Sequence, residues 1–225
     1  MCGRFSFSTS KEKIKKQLGP INTGENLKMN FNVAPTQEAY VITNEYPDRL
    51  DMLKWGLVPF WAKDTKNAGR LINARSEGIA DKPSFRSPIR KRRCLVLADS
   101  FYEWKRHGKE KIPYRIFPGN GDLLIMAGIW EVWNKGEAPL QTFSIITTEP
   151  NQEMQPIHNR MPVLLATREE QQRWLDHLTL DEVLELLKTP EDGLLTMYRV
   201  STQVNSVRNN GPELHEEVPE QGELF

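Results

Sequence analysis

Arg93-Cys94-Leu95-Val96-Leu97-Ala98-Asp99-Ser100-Phe101-Tyr102-Glu103-Trp104 is the stretch on which the fold turns. Cys94 to Ala98 is a short apolar run and reads as a strand. Phe101 to Trp104, rich in aromatics, reads as a second one beyond the polar Asp99-Ser100. Working outward, Ala39 to Thr43 and Leu50 to Trp55 have the same character and flank a polar turn around Asn44 to Asp48. Tyr114 to Phe117, Leu123 to Trp130, Thr142 to Thr147 and Thr196 to Val200 extend the series. Helices sit toward the ends. Thr9-Ser10-Lys11-Glu12 is a capping signal for a helix carrying Ile14 and Leu18 and stopped by Gly19-Pro20. Arg168 to Leu175 and Leu180 to Leu187, the latter introduced by Thr179, form two more. Asn32 to Thr36 reads as a turn, and Trp55-Gly56-Leu57-Val58-Pro59-Phe60-Trp61 as an aromatic loop, because Gly and Pro break either period. No repeat or low-complexity linker divides the chain. The expectation is one α+β domain over residues 1–211, strand-rich in its middle with peripheral helices.

Composition limits the function classes. The chain has 225 residues, enough for a substantial core, and balances 30 basic against 30 acidic residues. Glu213, Glu216, Glu217, Glu220 and Glu223 lie in the last segment, 212–225, which reads as an acidic, mobile tail. Two cysteines, Cys2 and Cys94, exclude a disulfide scaffold, and no Cys/His spacing suggests a metal site. Neither a metal nor an organic cofactor is expected. With no secretory signal and no apolar run of membrane-spanning length, the expectation is a soluble cytoplasmic protein in a reducing compartment.

The chemistry begins at Cys2. Cells trim an initiator methionine when a small residue follows, and trimming Met1 leaves an amine and a thiol on one residue. The α-amine has an ordinary pKa of roughly 7.7–8.0, so a useful fraction is neutral near pH 7. Such a 1,2-aminothiol condenses with an aldehyde to a Schiff base, and the thiol then closes a thiazolidine; the alternative is that Cys at this position is incidental. Glu103, set among Phe101, Tyr102 and Trp104, is either a buried carboxyl tuned for proton transfer or an outward-facing residue of an amphipathic strand. His158, in Pro156-Ile157-His158-Asn159-Arg160-Met161-Pro162, is either a proton shuttle or a histidine satisfied by loop backbone. Asn73-Ala74-Arg75, with Glu77 behind it, presents an amide and a cation together. Arg86, Arg90, Lys91, Arg92 and Arg93 form a solvated face or track a phosphate backbone. Trp55 and Trp61 belong to the core or stack on unpaired bases. Cys94, between Arg93 and Leu95, reads as a buried core thiol.

These segments together resemble the SRAP family, the SOS-response-associated peptidases understood as abasic-site processing proteins. The resemblance rests on Met1-Cys2-Gly3-Arg4-Phe5, Asn32-Val33-Ala34-Pro35-Thr36, Trp55 to Trp61, Asn73-Ala74-Arg75-Ser76-Glu77, Arg93 to Trp104 and His158-Asn159-Arg160-Met161-Pro162, in family order. Phe5, Ser76, Leu97 and Ser100 depart from the usual pattern without removing a reacting group. The resemblance implies a strongly curved, barrel-like, mainly antiparallel sheet with a basic channel for single-stranded DNA. It implies that Cys2 crosslinks reversibly to the aldehyde of an abasic site, with Glu103 assisting ring opening, His158 moving protons and Asn73 holding the sugar. Gly3, Arg4, Pro35, Trp55, Trp61, Arg75 and Arg160 are then expected to bind DNA. The expected partner is single-stranded DNA containing abasic sites, beside replication-associated proteins; the protein is expected to act as a monomer near the nucleoid of a bacterium. Two rivals remain: an N-terminal-nucleophile cysteine peptidase that removes Met1 from itself, and a non-catalytic single-strand binder.

Overall fold

In the computed structural model, which describes residues 2–219, twelve strands and four α-helices alternate along the chain. In order they are β1 (Phe5–Phe7), α1 (Lys11–Leu18), β2 (Asn30–Val33), β3 (Glu38–Thr43), β4 (Asp51–Trp55), β5 (Asn73–Arg75), α2 (Pro88–Lys91), β6 (Arg93–Ala98) and β7 (Ser100–His107). Then come β8 (Glu110–Pro118), β9 (Leu124–Trp133), β10 (Leu140–Thr148), β11 (Met161–Pro162), α3 (Arg168–Leu175), α4 (Leu180–Glu185) and β12 (Leu195–Arg199).

β6 explains why the opening stretch is decisive. It is buried at every position, and its side chains alternate between two cores. Cys94, Val96 and Ala98 pack with Val41, Leu53, Trp55, Met126 and Phe143. Leu95 and Leu97 pack on the other side with residues that include Ile14, Trp174 and Val183 of the helices. A strand covered on both faces needs an unbroken apolar run rather than alternation, which is what 94–98 supplies. Around it, β3, β4, β10, β9 and β6 close a ring: β3–β4, β10–β9, β9–β6 and β6–β3 are antiparallel, and β4–β10 is parallel. The expected α+β fold with a barrel-like, mainly antiparallel sheet is therefore present.

A second sheet, ordered β12-β8-β7-β1-β2, grows from the barrel through Asp99, the residue between β6 and β7. β1 lies antiparallel to β7, with Phe5 opposite Phe101 and Ser6 opposite Ser100. That register, with the Tyr102 N–H donating to Arg4 O at 2.9 Å, brings the residues preceding Phe5 alongside those following Phe101. It is the step that places the chain's beginning beside Glu103. Among the described residues no helix is long and apolar enough to cross a membrane.

The helices begin where capping chemistry predicts, with small shifts. Ser10, not Thr9, caps α1 by accepting from Lys13 N–H at 3.2 Å, and Gly19 ends it at φ 84°. Thr167 and Thr179 form capping boxes with Glu170 and Glu182. The helix expected to reach Leu187 ends at Glu185. The basic run is not uniformly solvated: Arg93 is buried, donating to the carbonyls of Trp174 (2.8 Å), Asp176 (2.5 Å) and Ile89 (3.2 Å). It thereby satisfies carbonyls at the ends of α3 and α2.

The tail expected to be mobile from 212 is anchored at its start. Pro212–His215 forms a 3₁₀ turn with Leu214 fully buried, and Val218 N–H donates to Arg199 O at 2.9 Å. The apolar Leu214 and Val218, spaced among the glutamates, provide contacts that a reading based on charge overlooks. Residues 220–225, including the rest of that tail, lie outside the described residues.

Candidate active site

β5 pairs parallel to β10, with Asn73 opposite Ile145, and this fixes the Asn73 amide next to the chain's beginning. Its Nδ2 donates to the Cys2 carbonyl at 2.8 Å. Its Oδ1 is buried and accepts no hydrogen bond among the described residues, leaving an acceptor for a hydroxyl or amine. Cys2 is itself fully buried, its Sγ 3.9 Å from Arg4 O. Burial, reinforced by the nearby Glu103 carboxylate, pushes the thiol far above its ordinary value. Cys2 therefore rests as a neutral thiol.

Glu103 is 3% exposed, which settles its orientation: it points inward. Burial raises its carboxyl, while the Trp104 backbone N–H partly opposes the shift. His158 Nε2 lies 4.0 Å from Glu103 Oε2. The other ring nitrogen, Nδ1, lies 3.0 Å from Arg160 N. The same Nδ1 lies 3.3 Å from Arg160 O, so the tautomer with the proton on Nδ1 is held by that carbonyl and leaves Nε2, the nitrogen toward Glu103, as the proton acceptor. Burial, with the positive charges of Arg106 and Arg160, holds His158 below its ordinary value and keeps it neutral at pH 7. The carboxyl and the imidazole thus form a pair through which one proton can be passed.

Arg160 holds this loop in place. Its guanidinium makes a two-pronged bond to Glu77 (2.7 and 2.9 Å) and donates to Thr147 O at 2.6 Å, and the residue is 9% exposed. In this structure the fork of Arg160 is engaged by Glu77, whose own side chain is half exposed. Arg4 is similar, donating to Asn32 Oδ1 at 2.7 Å and Val204 O at 2.8 Å. Asn32 in turn is buried and donates to the carbonyls of Ser206 (3.0 Å) and Asn209 (2.8 Å). Arg75, by contrast, is exposed. Gly3 and Pro35 are half-buried beside these elements, and Thr36 after Pro35 has φ 73°, the left-handed region that a β-branched residue rarely enters.

The two tryptophans part company. Trp55 is fully buried, donating Nε1–H to Ile72 O at 2.8 Å and meeting Phe5 edge-on at 5.0 Å between centroids. It is core and cannot stack on a base, which corrects that expectation. The reason is register: Trp55 ends β4 rather than beginning the loop. Trp61 is 49% exposed, with the equally exposed Phe60 beside it.

Glu103 and His158 open onto a hollow of about 450 Å³, also lined by Trp104, Arg106, Lys111 and Asn205. Arg106, Lys111 and Asn205 were not singled out from sequence. β7 continues three residues past Trp104, and its alternation was the available signal for Arg106. Asn205 arrives from a 3₁₀ turn about a hundred residues away, which no local pattern foretells. Cys2 thus meets Asn73 and Glu103 meets His158, while Trp55 is buried and Arg4 and Arg160 bond to neighbouring segments of the chain.

Comparison with known proteins adds to this geometry. Residues 1–207 match the family described as SOS response associated peptidase (SRAP). The chain is 45% identical over 224 residues to the abasic site processing protein YoqW of Bacillus subtilis (strain 168), spanning 96% of this chain and 99% of that one. It is 38% identical over 187 residues to the abasic site processing protein HMCES of Gallus gallus, spanning 72% of this chain and 55% of that one. A crystal structure of a protein from Bacteroides thetaiotaomicron superimposes with a TM-score of 0.87 at 29% identity, covering 97% of this chain and 100% of that one.

Proposed function

Because the chain belongs to the SOS response associated peptidase family and its matched relatives are abasic site processing proteins, we propose that it captures abasic sites in single-stranded DNA through Cys2. The observation that carries the reading is the Asn73 amide gripping the Cys2 carbonyl at 2.8 Å, beside the paired Glu103 and His158. Loss of Met1 converts the Cys2 nitrogen from an amide to an amine within this frame. An abasic sugar is mostly a closed ring. Opening it breaks the C1′–O4′ bond, delivers a proton to O4′ and removes one from the C1′ hydroxyl. A carboxyl biased toward its neutral form can donate, and a neutral imidazole can accept.

The amine then adds to the C1′ aldehyde, and water leaves to give a Schiff base. The thiol follows: a C1′–S bond forms, and the S–H proton ends on nitrogen. The net change is aminothiol plus aldehyde to thiazolidine plus one water. A neutral thiol suits this order, because the amine acts first and the sulfur adds only to an activated C=N. Holding both groups on one residue makes the closure intramolecular. Running the steps backward, with water attacking, releases the DNA. All four groups come from one chain, so a monomer suffices.

A peptidase fits less well. It needs a thiolate, and the surroundings of Cys2 favour the thiol. It also needs an oxyanion donor, and Asn73 Nδ2 is engaged by the Cys2 carbonyl. The experiment is a denaturing gel after incubation with abasic, uracil-containing and intact single strands. The reading expects a retained band with the abasic strand alone, lost in Cys2→Ala. Bands with all strands or none, or a band that survives Cys2→Ala, would reject it.

A further inference from the structure

The hollow beside Glu103 and His158 has a rim of one chemical character. On the face of the β7–β8 hairpin that carries Trp104 and Arg106, the residues directly opposite are Pro113 and Lys111. Arg106 and Lys111 are thus a like-charged cross-strand pair, an arrangement that is unfavourable on its own. Both are exposed, and among the described residues neither has an ion-pair partner. Asn205 sits across from them. Its Oδ1 accepts from Trp104 Nε1 at 2.7 Å, so its amide nitrogen, with two N–H groups, is what remains to bind a ligand. Among the described residues the one acid lining the hollow is Glu103, which burial biases toward the neutral carboxyl. A rim of donors with two positive charges set against each other is built for an anion of low charge and several acceptor oxygens.

We propose that Arg106, Lys111 and the Asn205 amide form a subsite for one phosphodiester immediately flanking the abasic sugar, setting the sugar's position against Glu103 and His158. The proposal rests on the capture reading above and adds to it the residues that fix the strand's register. These are positioning residues: they hold the backbone and take no part in bond making.

The test pairs charge removal on both partners. Affinity is measured by fluorescence anisotropy on strands carrying a tetrahydrofuran abasic analogue, which cannot react. The flanking linkages are replaced one at a time by uncharged methylphosphonate, and the protein is wild type or carries Arg106→Gln with Lys111→Gln. One linkage should weaken wild-type binding and have no further effect in the double variant. The salt dependence of binding should drop by roughly 0.7 in log–log slope for that phosphate. Lys16→Gln, an exposed cation on α1, should leave both quantities at wild-type values. Additive losses, no loss at either flanking linkage, or an equal effect from Lys16→Gln would overturn the subsite. Circular dichroism of the double variant checks its fold, and the single variants Arg106→Gln and Lys111→Gln carry the same coupling measurement if the double variant misfolds. The covalent gel separates the two ideas: crosslinking with uncoupled charges rejects the subsite alone, and coupled charges without crosslinking reject the capture alone.

Discussion

Replacing Trp55 and Trp61 separately by alanine gives opposite expected outcomes, although the two residues stand six apart in one aromatic motif. Trp55 has no solvent exposure, an Nε1–H bond to Ile72 O of 2.8 Å, an edge-on contact with Phe5 and a parallel contact with Phe143 at 6.4 Å. Truncating a buried tryptophan costs about 3–5 kcal/mol, to which the stranded carbonyl adds roughly 1 kcal/mol. Against a typical total of about 5–15 kcal/mol, Trp55→Ala should lose roughly a quarter or more of the stability. Trp61 is 49% exposed, so Trp61→Ala should shift stability by less than about 1 kcal/mol. Base stacking contributes about 1–3 kcal/mol per aromatic, and Trp61→Ala should weaken single-strand affinity by roughly 5- to 150-fold. Urea unfolding followed by circular dichroism and anisotropy with a labelled oligonucleotide measure the two effects. A Trp55→Ala protein as stable as wild type, or a Trp61→Ala protein with unchanged affinity, would refute the assignment of core and surface.

Other expectations follow from buried groups. His215 is held down to about 4 by burial and by Arg115, with Asp99, 3.7 Å away, pulling the other way. Between pH 6.5 and 4 the unfolded chain takes up a proton that folded His215 refuses, so stability falls on acidification by up to about 3 kcal/mol. His215→Gln should flatten that window in urea midpoints, and an unchanged pH profile would remove the linkage. Thr36→Gly relieves a left-handed β-branched residue, offset by chain entropy, and should raise stability by about 0.5–1 kcal/mol; a lower melting temperature would contradict this. Glu103→Gln should slow crosslinking at least tenfold with binding to the tetrahydrofuran strand preserved, and wild-type kinetics would leave Glu103 without a chemical role.

Long, strongly patterned elements were legible in the sequence, and short or tertiary ones were not. α3 is legible to the residue because Thr167 and Glu170 write its start locally. β6 was legible because burial on both faces demands a continuous apolar run. β1, β2, β5 and β11 are not legible: at two to four residues they hold no periodicity and their pairing partners are distant, so Asn32 and Val33, expected to open a turn, instead end β2 against Phe5. The same limit governs the site. Cys2, Asn73, Glu103 and His158 were marked by chemical type and by the family resemblance. The engagement of Arg160 by Glu77, of Arg4 by Asn32 and of Arg93 by helix-end carbonyls depends on contacts between segments far apart in the chain. A charged residue looks alike in sequence whether it meets a phosphate or a buried carbonyl.

The central claim is that the Cys2 amine and thiol both bond to C1′ of the abasic sugar. Mass spectrometry of the purified crosslink tests it, with and without borohydride. The account predicts a mass equal to the chain without Met1 plus the strand minus one water, mapped to Cys2, and unchanged by borohydride because a thiazolidine has no C=N to reduce. An adduct on a lysine, one that retains Met1, or one that survives only after borohydride adds two hydrogens would contradict it.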